Sequence, residues 1–391
     1  MNAAHSLERM LESATAASGL EDFGPGEFRA NAQLLLQGAM ESGASSSGLD
    51  MLAARIRRLL ENRLRIVADR KAYPQISAQK LAAPIVVLGL PRSGTTFLHS
   101  LLSRDPRLRC PLQWEISRPS PPPRRETFQT DPRIALSRAE MAGDAETLRL
   151  HMQDAELPVE CGPVFAGEFM NTGNFAFWDA PDYLARVMGR DGRGPIQAAY
   201  AHHKWILQHL QAFAPRERWA LKSPQHIANL AELLAAYPDA VLVFTHRDPV
   251  DTIPSLASLV SHFRRRTYDA PDLARIGRDV CRLWLDGINR CMDFRASEPA
   301  VSARCIDIAY QDLIDRPIAV LERIYQSASM DLEPARAAVV AWIDTHRQDR
   351  WREQHGRHEY SPEMFGLTSR EIAAAFSAYR AAFDGAARRT P

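Results

Sequence analysis

Arg92, bounded by glycines in Gly89-Leu-Pro-Arg-Ser-Gly-Thr-Thr96, is the residue whose setting first suggests chemistry. The apolar run Ile85 to Leu88 precedes the loop, and Phe97, Leu98, Leu101 and Leu102 follow it at helical spacing until Asp105-Pro106. A strand that turns through glycines into a helix offers the N–H groups of the first helical turn to an anion, at the positive end of the helix dipole. The pattern G-x-x-x-x-G-K-[ST] of nucleoside-triphosphate loops is met at every fixed position but one, because Thr95 replaces the lysine that reaches the β- and γ-phosphates. The loop cation is Arg92 instead, which suits a transferring group of lower charge than a γ-phosphate. Taken alone, these residues would also make a tight turn ahead of a core helix.

Three more segments deliver polar groups where apolar runs end. Ala240 to His246 reads as a buried strand that runs into Arg247; Asp248-Pro249 then opens a helix carrying Ser255, eight residues after the arginine. Trp219-Ala-Leu ends in Lys222, before a proline-started helix whose buried face is Ile227, Leu230, Leu233, Leu234 and Tyr237. Val301 to Ala309 alternates like a strand and leads into Tyr310 and a helix. Arginine presents a fork of donors to phosphate oxygens, a serine hydroxyl adds one more, and a tyrosine ring suits a purine. Singly, each has an ordinary reading: surface punctuation, a solvated lysine, a core tyrosine.

Together the four segments resemble the sulfotransferases that use 3′-phosphoadenosine 5′-phosphosulfate, over residues 84–367. The resemblance is to a bacterial branch with arginine in the loop, as in the tyrosylprotein enzymes. It implies that Arg92, Ser93, Gly94, Thr95 and Thr96 hold the 5′-phosphosulfate, that Arg247 and Ser255 hold the 3′-phosphate, and that Tyr310 lies by the adenine. It makes Lys222 the second cation at the transferring group and draws Arg357, in a late basic segment, over the 3′-phosphate. Tyr360-Ser-x-Glu-x-Phe-Gly-Leu367 is similar to a segment common in that branch. For the base that takes the acceptor's proton the family pattern points to Glu115, although Gln113 lies nearer the matching offset. His151 and His226 stay open as rivals, since the cytosolic enzymes use a histidine.

The implied reaction is in-line transfer of a sulfuryl group to a hydroxyl of a small-molecule, lipid or carbohydrate acceptor. Negative charge grows on the leaving phosphate oxygen, and Arg92 and Lys222 would meet it as preorganised donors. A sulfuryl group carries less charge than a phosphoryl group, so no metal is required, and His355 and His358 lack flanking ligands for one. Two other classes remain: a small-molecule kinase on a P-loop, which should show lysine at position 95 and an acidic metal ligand, and a non-catalytic module binding the desulfated nucleotide.

The expected fold is α/β: a three-layer P-loop-type architecture with a central, mainly parallel sheet, whose carboxyl edge gathers Arg92, Lys222, Arg247 and Tyr310. Residues 1–80 are expected as a helical extension packed on the core, 81–391 as the sulfotransferase domain, and 116–215 as a mainly helical acceptor-site insertion. Within it, Phe165, Phe169, Phe175, Phe177 and Trp178 suit either an apolar acceptor pocket or plain core. A net charge of +1 gives no electrostatic case for nucleic acid, and no run of 18 apolar residues marks a membrane span. Five irregularly spaced cysteines with no Cys-x-x-Cys pair are expected as reduced thiols of a cytoplasmic protein. The acceptor's identity and the oligomeric state, a homo-oligomer included, stay open.

Overall fold

A computed structural model of the chain describes residues 5–142, 154–345 and 360–383. Its centre is a parallel sheet of β1 (Ile85–Gly89), β2 (Leu108–Arg109), β3 (Arg218–Lys222), β4 (Val241–His246) and β5 (Ile306–Ala309), in the order β2-β3-β1-β4-β5. Register decides what meets at its carboxyl edge. Val87 lies opposite Lys222 on β3 and Val243 on β4, while Gly89 lies opposite Thr245 and His246 opposite Ala309. The loop after Gly89, the Lys222 side chain, Arg247 and Tyr310 therefore leave adjacent strands at one edge, where open parallel sheets bind ligands.

The sheet is covered on both faces, as parallel strands require. Val86, Leu88, Leu242 and Phe244 point into one core, which takes Ile253 and Val260 from the helix Pro249–Arg264 and Val280 and Leu283 from the helix Leu273–Ser297. Ile85, Val87 and Val243 point into the other, with Leu98 and Leu101 from the helix after the loop and Leu321, Ile324 and Val339 from two later helices. This is the expected three-layer α/β arrangement.

The N-terminal helices α1 (Leu7–Ser18), α2 (Phe28–Glu41) and α3 (Ser46–Ala72) share the first of these cores. Buried Arg63 on α3 pairs with Glu168 at 2.9 Å and donates to the carbonyls of Phe23 (2.7 Å) and Gly167 (2.9 Å), tying α3 to the insertion. Phe165, Phe169, Phe175 and Trp178 are buried in the same core, so of their two readings the packing one applies.

Two elements differ from the sequence expectation. The segment from Val301 does not extend as a strand: Pro299–Ser302 is helical, and β5 pairs only over Ile306–Ala309. The helix after Lys222 starts as a 3-10 stretch, Pro224–Asn229, before Leu230–Ala236 becomes α-helical. Its start is fixed by the Ser223 hydroxyl, which accepts from Gln225 N–H, and by Pro224, which needs no N–H acceptor.

Candidate active site

The glycine loop is shaped from beneath. Gly89 sits at φ +151, and a Cβ there would come within 2.4 Å of Thr245 Oγ1. Gly94, at φ +90, starts α4 (Thr95–Leu102), and its Cβ would lie 3.0 Å from Leu313 Cδ2 and 3.1 Å from the Tyr310 ring. No side chain caps α4, whose N-cap is Gly94. Arg92 adopts φ +71, a left-handed conformation costly for a residue with a side chain and found where a loop must be aimed.

One face of the loop meets the 3′-phosphate residues named by the sequence. Arg92 Nε donates to Ser255 Oγ at 3.1 Å, and Arg247 Nη1 donates to the Arg92 carbonyl at 3.2 Å. The Arg247 guanidinium lies 4.5 Å over the centre of the Tyr310 ring. Asp248 caps the helix bearing Ser255 by accepting from Val250 N–H at 2.9 Å, and Pro249 starts it. Arg92, Arg247, Ser255 and Tyr310 thus form one contiguous group, with Tyr360 acting electrostatically on Arg92.

The other face meets a lysine and a carboxylate. Lys222 is 1% exposed, and its Nζ lies 3.3 Å from Thr96 Oγ1 and 2.5 Å from Glu160 Oε1. Glu160 immediately precedes the helix Cys161–Phe165; Val159 N–H donates to the Pro111 carbonyl at 2.8 Å, which anchors this stretch. Its side chain is 35% exposed, so the carboxylate touches both the lysine and solvent.

Glu115 has a different job from the expected base. Fully buried, it accepts from Arg109 Nη1 (3.3 Å) and Nη2 (2.8 Å) and from Leu112 N–H (3.0 Å), which fills its oxygens with internal donors. It closes the start of the short helix Gln113–Ser117 and neutralises a buried arginine. Ser93 is a second correction. Its hydroxyl donates to the Leu90 carbonyl at 2.6 Å and meets Thr245 Oγ1 at 2.8 Å, and its N–H goes to Leu90, so Ser93 braces the loop from inside.

His226 is buried beside the Tyr200 hydroxyl, 2.7 Å away, and burial pulls its pKa down to about 3, away from the range of a working base exposed to an acceptor. His151 and Arg357 lie outside the described residues. Sequence reasoning passed over Glu160, since it sits 62 residues before Lys222 in a stretch without a strand signal. The only local mark was Pro158-Val-Glu-Cys-Gly-Pro163, a carboxylate at a proline-flanked helix start.

The sulfotransferase family matches residues 84–334. The omega-hydroxy-beta-dihydromenaquinone-9 sulfotransferases Stf3 of Mycobacterium bovis and Mycobacterium tuberculosis are each 26% identical over 265 residues, 67% of this chain. The match spans 66% of the length of those relatives. The crystal structure of sulfotransferase STF1 from M. tuberculosis superposes with a TM-score of 0.83 at 29% identity, covering 95% of this chain and 98% of that one. STF9 from Mycobacterium avium gives 0.86 at 25% identity, with 98% of both chains covered.

Proposed function

Because the chain belongs to the sulfotransferase family, we propose that it moves a sulfuryl group from 3′-phosphoadenosine 5′-phosphosulfate to an acceptor hydroxyl. The observation that carries the reading is the Lys222 ammonium at the mouth of α4, in contact with both Thr96 and the half-exposed Glu160. It puts a cation for the leaving charge beside a carboxylate for the incoming hydroxyl.

The donor set fits the donor molecule. The α4 N–H groups and the Thr95 and Thr96 hydroxyls suit the 5′-phosphosulfate; Arg247 and Ser255 suit the 3′-phosphate, with Arg92 linking the two ends; Tyr310 offers its ring to the adenine. The donor supplies the sulfuryl group itself. Lys222 stabilises the charge that develops on the bridging oxygen, a contribution that grows as water is excluded. Glu160 takes the base role expected of Glu115: it accepts the hydroxyl proton as the acceptor oxygen attacks. Thr95 at the lysine position of the triphosphate pattern speaks against the kinase reading.

For the acceptor we favour a lipid-like molecule ending in a hydroxyl, on the strength of the relatives named for an omega-hydroxy menaquinone derivative. The insertion between β2 and β3, which carries Glu160, would form its binding wall.

Calorimetric titration with 3′-phosphoadenosine 5′-phosphate, beside ATP–Mg²⁺, tests the donor on the wild type and on Arg247→Ala. Binding of the bisphosphate that the substitution weakens, without binding of ATP, is the expected result. Preference for ATP would overturn the reading.

A further inference from the structure

A buried cluster lies just behind Glu160 and Lys222. Cys161 begins the helix Cys161–Phe165, His203 comes from the helix Gly194–Gln211, and His226 from the 3-10 stretch Pro224–Asn229. One ligand atom from each lies within 4.8 Å of the others, and all three residues are 0% exposed. The Nδ1 atom of His203 is 2.7 Å from the Tyr237 hydroxyl, and that of His226 is 2.7 Å from the Tyr200 hydroxyl. Both Nε2 atoms are buried with no hydrogen-bond partner among the described residues. A buried polar atom left without a partner costs about 1–3 kcal/mol, so two in one pocket with a thiol ask for a further group. Imidazoles whose Nδ1 is held by a hydroxyl and whose Nε2 has no protein partner keep one ring nitrogen for a metal.

We propose that Cys161, His203 and His226 form a three-coordinate site for monovalent copper. A thiolate and two imidazoles are soft enough for Cu(I), and their trigonal combination is a copper ligand set. Structural zinc is almost always four-coordinate, and among the described residues no fourth His, Cys, Asp or Glu joins the group. Charge points the same way: Cu⁺ with one thiolate and two neutral imidazoles is neutral overall, whereas Zn²⁺ would leave a net charge in a dry interior.

Ligation exchanges the S–H bond for S–Cu, releases the proton to solvent and changes no oxidation state. The consequence reaches the edge of the sheet. Cys161 is the neighbour of Glu160, and His226 lies four residues after Lys222, so an occupied site would clamp the two segments that carry that ion pair.

The test is an anaerobic titration of the full-length protein with Cu(I) against the chromophoric chelator bicinchoninate, beside a Zn²⁺ titration against a zinc indicator. Because the cluster is buried, the protein is also expressed in copper-supplemented medium and its copper counted by native mass spectrometry. We expect one copper per wild-type chain, X-ray absorption with one sulfur and two nitrogen neighbours, and loss of the site in Cys161→Ser and in His226→Gln. Cys291→Ser, which removes a different buried thiol, should keep it. Circular dichroism confirms folding, and either ligand variant suffices if the other does not fold. Wild-type protein without stoichiometric copper by both routes, copper retained in the folded variants, or tighter binding of Zn²⁺ than of Cu(I) overturns the proposal.

Discussion

Replacing Glu115 and Glu160 separately by glutamine distinguishes a carboxylate that holds the fold from one that does chemistry. Glu115 and Arg109 are both within 2% of full burial, and the carboxylate also accepts from a backbone N–H. Removing one partner of a buried ion pair costs about 3–5 kcal/mol, because the other charge is left in low dielectric. Unfolding entropy near 2.1 cal/mol/K per residue gives roughly 0.8 kcal/mol/K for a chain of 391 residues. Glu115→Gln should therefore lower Tm by about 4–6 °C. Glu160→Gln keeps an oxygen for Lys222 to donate to but takes the counter-charge from a buried ammonium, so its stability should fall by about 1–3 kcal/mol, less than for Glu115→Gln. Its turnover should also fall by about 10²–10⁴-fold, the range for a lost general base, with binding of 3′-phosphoadenosine 5′-phosphate intact. Thermal melts, bisphosphate calorimetry and turnover with whichever acceptor reacts in a panel of hydroxyl-ended lipids and phenols supply the numbers. A Glu115→Gln protein with wild-type stability and no turnover, beside an active Glu160→Gln, would refute the assignment.

Lys222→Ala should cost about 10²–10³-fold in turnover, the scale of one lost donor to developing charge, while a pure nucleotide binder would lose at most some affinity. Gly94→Ala places a Cβ 3.0 Å from Leu313 at φ +90, so it should destabilise by about 1–3 kcal/mol and weaken bisphosphate binding, read by urea denaturation and calorimetry. Stability should also fall on acidification. Burial depresses His99 to about 3 and His209 to about 4, from an ordinary value of 6.5. Below pH 6.5 the unfolded chain takes up protons that the native rings refuse, so this contribution is whole above that pH and lost as pH falls toward the native values. At pH 5 the loss is about 2 kcal/mol for each ring, and His99→Gln with His209→Gln should flatten the pH dependence of urea midpoints; an unchanged slope would contradict it.

The sequence by itself determined the elements whose information is local. A β-branched run, a glycine at positive φ and an apolar helix are written in consecutive residues, so β1, the loop and α4 were legible, as were Lys222, Arg247 and Tyr310 at the ends of β3, β4 and β5. Parallel pairing then makes adjacent strand ends neighbours, which is why a linear reading could anticipate that these residues share an edge. It could not say which way a side chain turns once there. The Ser93 hydroxyl faces inward because Thr245, on another strand, gives it a partner. Glu115 is occupied because Arg109 is buried with it, and burial is a property of the finished core. Glu160 reaches Lys222, and Cys161 reaches His203 and His226, only because the insertion folds back over β3. No spacing in the chain encodes those meetings, since residues far apart in sequence are joined by packing and by the need to pair charges and donors away from water.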